Sequence, residues 1–261
     1  KDLNFEPNWT KAPPGSGTTL ITGATGFVGI HLLEALQSNY KKILCLVRAT
    51  SEEQGLLRLQ KTASKYVLSI NWNTIEVIPG DLSTENCGLS DSSRMRIANE
   101  CTSIYHCGAS VNFLKDFGTL KPVNFDATLS LLDLCAVGIR KKFNFISTTS
   151  VFTQTNSTVS EETLLADEIH YQYKGYRASK WLAELAVMKA HNQGIPTCIY
   201  RLGRITGSTK NGIANRDDFF HRLVDGAMEL KSIPVEILEQ SFDLTPVDVA
   251  ASKIVQFDKH E

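Results

Sequence analysis

The chain has 261 residues, 42% of them hydrophobic, and a formal net charge of −1. That size and apolar content suit one large core with room for a small appended lobe. The near-neutral balance leaves no long-range field to recruit nucleic acid or a membrane surface, and the longest basic runs, Lys41-Lys42 and Lys141-Lys142, read as solvated ends of elements.

Residues 1–17 contain Pro7, Pro13, Pro14, Gly15 and Gly17 without periodicity, and read as a linker from an upstream domain. Short apolar runs then alternate with longer helical patterns. Strands are predicted at Thr18–Thr22, Ile43–Val47, Ile75–Ile78, Ser103–His106, Phe143–Ser147 and Thr197–Tyr200. Helices are predicted near Val28–Gln37, Glu52–Leu68, Asp91–Asn99, Leu120–Val137 and Ala178–His191. This alternation predicts an α/β fold, a Rossmann-type doubly wound parallel sheet over residues 18–203. The pattern changes after Tyr200. Asp217–Leu230 reads as a helix, and a last helix is expected to open with Thr245 as N-cap and Pro246 at its first position. Residues 204–261 are therefore expected to form a small, partly missing substrate-binding lobe.

The six cysteines (Cys45, Cys87, Cys101, Cys107, Cys135, Cys198) form no C-x-x-C pair, and Cys45 and Cys198 fall in apolar, strand-like runs. Buried thiols in a reducing compartment are expected, rather than disulfides or a metal site. No apolar run approaches the ~18 residues that span a bilayer, and no signal peptide opens the chain, so a soluble cytoplasmic protein is expected.

Two constellations carry chemistry. The first is Gly23-Ala24-Thr25-Gly26-Phe27-Val28-Gly29, placed between a strand and a helix. Gly23 permits the tight turn, Gly26 admits a pyrophosphate near the backbone, and Gly29 lets helix and strand approach. The helix N-terminus then offers N–H groups and positive dipole to the anion. At the end of the second strand stands Arg48, where NAD enzymes place an acidic residue; a cation there favours a 2′-phosphate, hence NADP(H). Arg58 on the next helix is placed to reach the same phosphate. In Gly80-Asp81-Leu82, Asp81 is a candidate partner of the adenine amino group. Gly108 and Ala109 leave room for the cofactor's ribose and diphosphate. Leu82 and Gly203, at the ends of the third and sixth strands, complete the expected cofactor-binding set.

The second constellation is Tyr176-x-x-x-Lys180 at the start of a helix, shortly after Ser147-Thr148-Thr149-Ser150 at the fifth strand's carboxyl end. Residues four apart share a helix face, so Lys180 lies beneath Tyr176. A free tyrosine, pKa ~10, is a poor acid-base at neutral pH. A neighbouring ammonium and an oxidised nicotinamide are expected to lower that value. Lys180 also suits the nicotinamide ribose hydroxyls. Thr148, with Ser147 and Thr149 as fallbacks, is assigned to the substrate oxygen. Asn124 is a candidate support for a water or backbone near Lys180. His106 reads as packed, and Tyr171 and Tyr173 as candidates for the substrate mouth.

These motifs resemble an extended short-chain dehydrogenase/reductase. The ordered series that adds Cys45 to Ala49, Gly88-Leu89-Ser90, Tyr105 to Asn112, Lys180-Trp181, Arg201 to Ile205 and Thr245-Pro246-Val247-Asp248 resembles more closely the thioester reductase domains that end polyketide and nonribosomal peptide synthases, and the related carboxylic acid and aminoadipate reductases. The resemblance implies NADPH-dependent release of an acyl chain from a phosphopantetheinylated carrier protein, as aldehyde or, after a second hydride, alcohol. It also implies a setting within a multidomain synthase. Such domains run on past the Pro-Val-Asp segment, so the substrate lobe is expected to be partial here. The rival readings are a fatty acyl-CoA reductase, a sugar-nucleotide epimerase or dehydratase, and a non-catalytic NADP-sensing domain. An acidic residue where Arg48 stands would favour the second, and loss of the Tyr/Lys pair the third.

Overall fold

The computed structural model describes residues 3–11, 17–152, 159–161, 175–238 and 242–258. Six strands form one parallel sheet: β1 (Thr18–Thr22), β2 (Lys42–Val47), β3 (Ile75–Pro79), β4 (Cys101–His106), β5 (Lys142–Thr148) and β6 (Thr197–Leu202). Their order is β3-β2-β1-β4-β5-β6. The order reverses between β1 and β4, and a doubly wound sheet opens a crevice at the carboxyl ends of those two strands. The near-continuous apolar runs of the strands follow from burial on both faces. One face is covered by α1 (Phe27–Leu36), α2 (Glu52–Lys65) and α9 (Val247–Asp258). The other is covered by α3 (Asp91–Glu100), α5 (Ala127–Ala136) and α6 (Tyr176–Asn192).

Four features depart from the sequence reading. Residues 3–11 dock on the body: Phe5 is buried in the core, Asn8–Thr10 pairs in parallel with Val137–Ile139, and the Trp9 indole donates to the Cys135 carbonyl at 2.7 Å. Lys141 is not a solvated end. Its buried ammonium donates to the carbonyls of Ala98, Val137 and Ile139 (3.1, 2.7 and 2.6 Å), and burial lowers its pKa. Its neighbour Lys142 meets Asp258 at 3.2 Å.

The core does not divide at residue 203 either. Val247, Ala250, Ala251, Ile254 and Val255 of α9 are buried, and α9 packs on α1. Thr245 is not its N-cap: Leu244–Pro246 forms a short parallel ladder with Arg204–Thr206, and the helix begins at Val247. A long-range pairing partner overrides a favourable local cap. What remains outside the sandwich is α7 (Phe219–Leu230), capped by Asp218, with α8 (Val235–Leu238) after it.

Cys45, Cys87, Cys101 and Cys135 are buried free thiols, and desolvation raises the pKa of each. Among the described residues, no helix is long and apolar enough to cross a membrane and no group of His, Cys, Asp and Glu could hold a metal ion.

Candidate active site

The glycine loop joins β1 to α1 in the geometry a dinucleotide needs. Gly23 has φ +75°, and a Cβ there would come within 2.5 Å of the Gly108 nitrogen. The turn closes by Gly26 N donating to Gly23 O at 2.9 Å, and a Cβ on Gly29 would strike that same carbonyl. The ends of β1 and β4 can therefore approach only with glycine at position 23, and α1 can pack on the loop only with glycine at position 29. No side chain caps α1 at Gly26, whereas Ser51 caps α2 and Ser90 caps α3. The N–H groups of the first turn of α1 are thus left to an anion. Thr25, Phe27 and Val28 stand around them, half-buried.

At the other end of the crevice Arg48, Arg58, Gly80, Asp81 and Gly88 line one open cavity of about 470 Å³. Arg58 donates to the Arg48 backbone carbonyl, and both arginines line that cavity. Asp81 accepts from the Ser83 backbone and hydroxyl at 2.9 and 2.7 Å. Burial opposes its ionisation, yet those bonds and the Arg48 charge hold its pKa below the usual value. Leu82 turns its side chain towards Gly108, Ala109 follows half-buried, and Gly203 sits just past β6 beside Asp243. The structure brings Arg48, Arg58 and Asp81 together; it leaves Gly203 outside that cavity. These residues fit a dinucleotide: an uncapped helix end for the diphosphate and a cavity lined by Arg48 and Arg58 beyond it.

The crevice floor is held by a buried polar chain that sequence reading did not resolve. Gly108 N donates to Thr22 Oγ1 at 3.1 Å, and Thr22 Oγ1 lies 2.7 Å from His106 Nδ1. His106 Nε2 meets Thr128 Oγ1 at 3.1 Å, and Thr128 donates to Asn124 O at 2.9 Å. Burial, with the Lys180 charge, pushes the His106 pKa down to about 3, so the ring is neutral. An imidazole protonated on Nε2 satisfies every member. His106 is packed, as expected.

Asn124 sits in a π-helical turn (Pro122–Asp126) between α4 (Phe117–Lys121) and α5, a local widening frequent at functional sites. Its Oδ1 accepts from Ser110 N at 2.7 Å. Its Nδ2 donates to Ser110 O at 3.1 Å and to Ser179 Oγ at 2.8 Å, and Ser179 in turn donates to Tyr176 O at 2.7 Å. Asn124 therefore ties the loop after β4 to the first turn of α6. It supports backbone rather than Lys180 itself.

Tyr176 opens α6 after Gly175, whose φ is +55° and whose added Cβ would strike Lys115 O. The Phe113 ring stands edge-on to Tyr176 with centroids 5.2 Å apart, while itself 62% exposed. Lys180 is buried; its ammonium donates to Ile146 O at 2.8 Å and lies 3.9 Å from the Phe145 ring centroid. Thr148 is two residues beyond Ile146 at the tip of β5, so the Lys180 bond holds the first turns of α6 beside that strand end. Thr148 Oγ1 accepts from Ser150 N at 3.2 Å and lies 3.1 Å from Ser150 Oγ. The fallbacks separate cleanly. Ser147 is buried with its hydroxyl donated to Glu184 at 2.6 Å, and Thr149 is exposed. Tyr171 and Tyr173 lie outside the described residues.

The electrostatics differ from the sequence expectation for Tyr176. Burial, with Cys107 adding to it, pushes its pKa up to about 12 rather than down. Burial lowers Lys180 to about 8, against opposing contributions from Cys107 and Glu184. Near neutral pH the pair is thus a neutral phenol and an ammonium. That is the protonation state of an acid. Phe113 and Glu184 were missed, although Glu184 stands four residues past Lys180 on the same face, a spacing that was readable.

The chain matches the family model described as Male sterility protein, an NAD-binding family, over residues 21–254. It belongs to that family. It is 38% identical over 248 residues to a linear gramicidin synthase of Brevibacillus parabrevis, covering 93% of this chain and 5% of that protein. It is 36% identical over 258 residues to L-2-aminoadipate reductase of Saccharomyces cerevisiae, covering 90% and 18%. Among solved structures, the terminal R domain from the myxalamid PKS-NRPS biosynthetic pathway superposes with a TM-score of 0.88 at 34% identity, over 95% of this chain and 64% of that one. The chain thus spans a small fraction of these curated relatives and just under two thirds of the solved domain. The expected resemblance to reductase domains of the extended short-chain dehydrogenase/reductase superfamily holds, as does the Rossmann fold.

Proposed function

We propose that this domain uses NADPH to release an acyl chain from a carrier-protein thioester as an aldehyde. The observation that carries the reading is the bond to Ile146 O, two residues before Thr148, from the buried ammonium of Lys180 on the helix that Tyr176 opens, beside a glycine loop and an uncapped helix. Kinship with a peptide synthase and an aminoadipate reductase supports the substrate class and a carrier domain as partner. Arg48 and Arg58 on one cavity wall support the 2′-phosphate, and so NADPH over NADH.

When bound, the dinucleotide would supply a hydride for the thioester carbonyl carbon. Thr148 Oγ donates a hydrogen bond to the carbonyl oxygen as negative charge develops there. Tyr176 delivers its phenolic proton to that oxygen, with the Lys180 ammonium stabilising the phenolate left behind. Lys180 also holds the nicotinamide ribose. The product of this step is a hemithioacetal. It collapses with expulsion of the pantetheine thiol, a fair leaving group because thiol pKa is about 8.5. The aldehyde and a free thiol remain.

The deciding experiment follows NADPH oxidation with acyl-pantetheine, acyl-CoA, a sugar nucleotide and no substrate. One aldehyde and one thiol per NADPH with acyl-pantetheine is the expected result. Oxidation with acyl-CoA alone would move the assignment to a fatty acyl-CoA reductase. Failure with every thioester would remove it.

A further inference from the structure

Behind the catalytic edge lies a buried carboxylate that the reduction steps do not use. Glu184 has no exposed surface. It stands on α6 four residues beyond Lys180 and eight beyond Tyr176, so the three share one helix face. Its two oxygens serve different strands. Oε2 accepts from Ser147 Oγ at 2.6 Å, on β5 directly before Thr148. Oε1 accepts from Arg201 Nε at 2.6 Å, on β6, and the Arg201 Nη2 completes the ion pair. The Arg201 guanidinium also lies 4.7 Å from the Phe152 ring centroid, just past the Thr149–Val151 turn.

Burying a charge is costly unless it is paired and hydrogen-bonded, and apolar side chains of similar volume hold helices to sheets at least as well. α6 already has such packing through Ala183, Ala186, Val187 and Ala190. What the carboxylate adds is direction. With the bond from Lys180 to Ile146 O, the bond from Ser147 to Glu184 gives α6 two consecutive polar anchors on β5, at residues 146 and 147. Together they fix where Thr148 stands relative to Tyr176 and Lys180.

We propose that Glu184 is a positioning residue for the reduction, locking the Ser147–Thr148 strand end to the Tyr176/Lys180 face of α6 and placing a negative charge behind the Lys180 ammonium. The inference rests on the reductase reading of this site. The groups that face Lys180 are Glu184 from α6, Cys107 and the neutral His106 from the end of β4, and the Ile146 carbonyl and Phe145 ring from β5. Of these, Glu184 is the carboxylate, ion-paired on its other side with Arg201. It favours the ammonium against the burial that lowers Lys180 to about 8.

The test compares wild type with Glu184→Gln, Glu184→Asp and Ser147→Ala, using two independent readouts. The first is steady-state reduction of an acyl-pantetheine, with NADPH affinity measured separately. Glu184→Gln is expected to lose about tenfold to a hundredfold in kcat, the scale of a small misplacement of reacting groups. NADPH affinity should hold, and Glu184→Asp should recover part of the loss. The second readout is the titration midpoint of Lys180, followed by NMR of lysine carrying 13C at Cε, with the resonance assigned by its disappearance in Lys180→Met. It needs no turnover. Glu184→Gln should move the midpoint down and shift the basic limb of the rate profile the same way, whereas Ser147→Ala should lower kcat and leave the midpoint in place.

An unchanged kcat in both Glu184→Gln and Ser147→Ala overturns the positioning role. An unmoved midpoint in Glu184→Gln overturns the charge role. If Glu184→Gln does not fold, Glu184→Asp and Ser147→Ala still decide the positioning role, and Glu184→Asp, which retains the charge, should keep the midpoint near that of wild type. A wild type that reduces no thioester fails the reductase reading instead, while the Lys180 midpoint still reports on Glu184.

Discussion

Two amphipathic helices, α6 and α7, behave in opposite ways. α6 buries ten residues, including Tyr176, Lys180 and Glu184, between the sheet and α5. α7 buries none of its twelve, and Phe220, Leu223, Val224, Ala227 and Met228 face an open, largely apolar cavity of about 670 Å³. Phe219, Met228 and Leu230 are mostly exposed. A helical stripe of apolar residues says that a face wants cover; it does not say what supplies it. The proposed chemistry sits on the helix whose cover is provided within the described chain. The face with least cover lies in the segment assigned to substrate binding.

Breaking the α6 side should cost most. Tyr176→Phe removes one oxygen from a buried ring and keeps its packing. Turnover should fall by about 10²–10⁴-fold, the usual worth of a general acid, with NADPH affinity retained. Steady-state rates and a cofactor binding titration check this, and a mutant that keeps full activity would take Tyr176 out of the mechanism. Gly29→Val comes next. The new Cβ meets the Gly23 carbonyl, so the loop must open; a loss of about 1–3 kcal/mol in stability is expected, with NADPH binding abolished or nearly so. Denaturant unfolding and the same titration measure both. Wild-type affinity in that variant would show that the loop does not carry the diphosphate.

Arg48→Ala should have a narrower effect. A charge-assisted bond to a phosphate is worth about 1.5–3 kcal/mol, so the preference for NADPH over NADH should drop by roughly tenfold or more. Activity with NADH itself should change little. KM values for the two cofactors decide it, and unchanged discrimination would reassign the 2′-phosphate to Arg58 or to neither.

The sequence made the sheet legible because its central strands are apolar runs buried on both faces, closed by a glycine or polar loop, while the edge strand β6 is only half-buried. Even there the ends of β4 and β6 reach two residues further than the apolar run alone predicts. The glycine loop and the Tyr/Lys pair were legible because their chemistry demands fixed spacing on one element. What escaped depends on partners distant in the chain. Lys141 looked like a solvated lysine until Ala98, Val137 and Ile139 turned their carbonyls to it. Thr245 looked like a cap until Ile205 paired with it. Asn124 was singled out correctly, but its π-helical turn and its bonds to Ser110 and Ser179 arise only once the loop after β4 meets α6. The raised pKa of Tyr176 belongs to the same class, since it follows from desolvation that the sequence does not display.

The smallest expected effect tests the other side of the comparison. Met228→Ser changes a side chain that is 72% exposed on the apolar face of α7. If that face is substrate wall and not core, its polar replacement should shift stability by no more than about 0.5 kcal/mol, as for surface positions. Cofactor affinity and the kcat for a short acyl chain should stay put. KM for a long acyl chain should rise a few-fold, because one more apolar contact along the chain is lost. Thermal melting and KM against chain length separate the outcomes. A change in KM that grows with chain length marks the α7 face as the acyl wall. A large drop in melting temperature, with KM equal for short and long chains, would mean that α7 is held by packing the exposed surface does not reveal, and the contrast with α6 would then be one of degree.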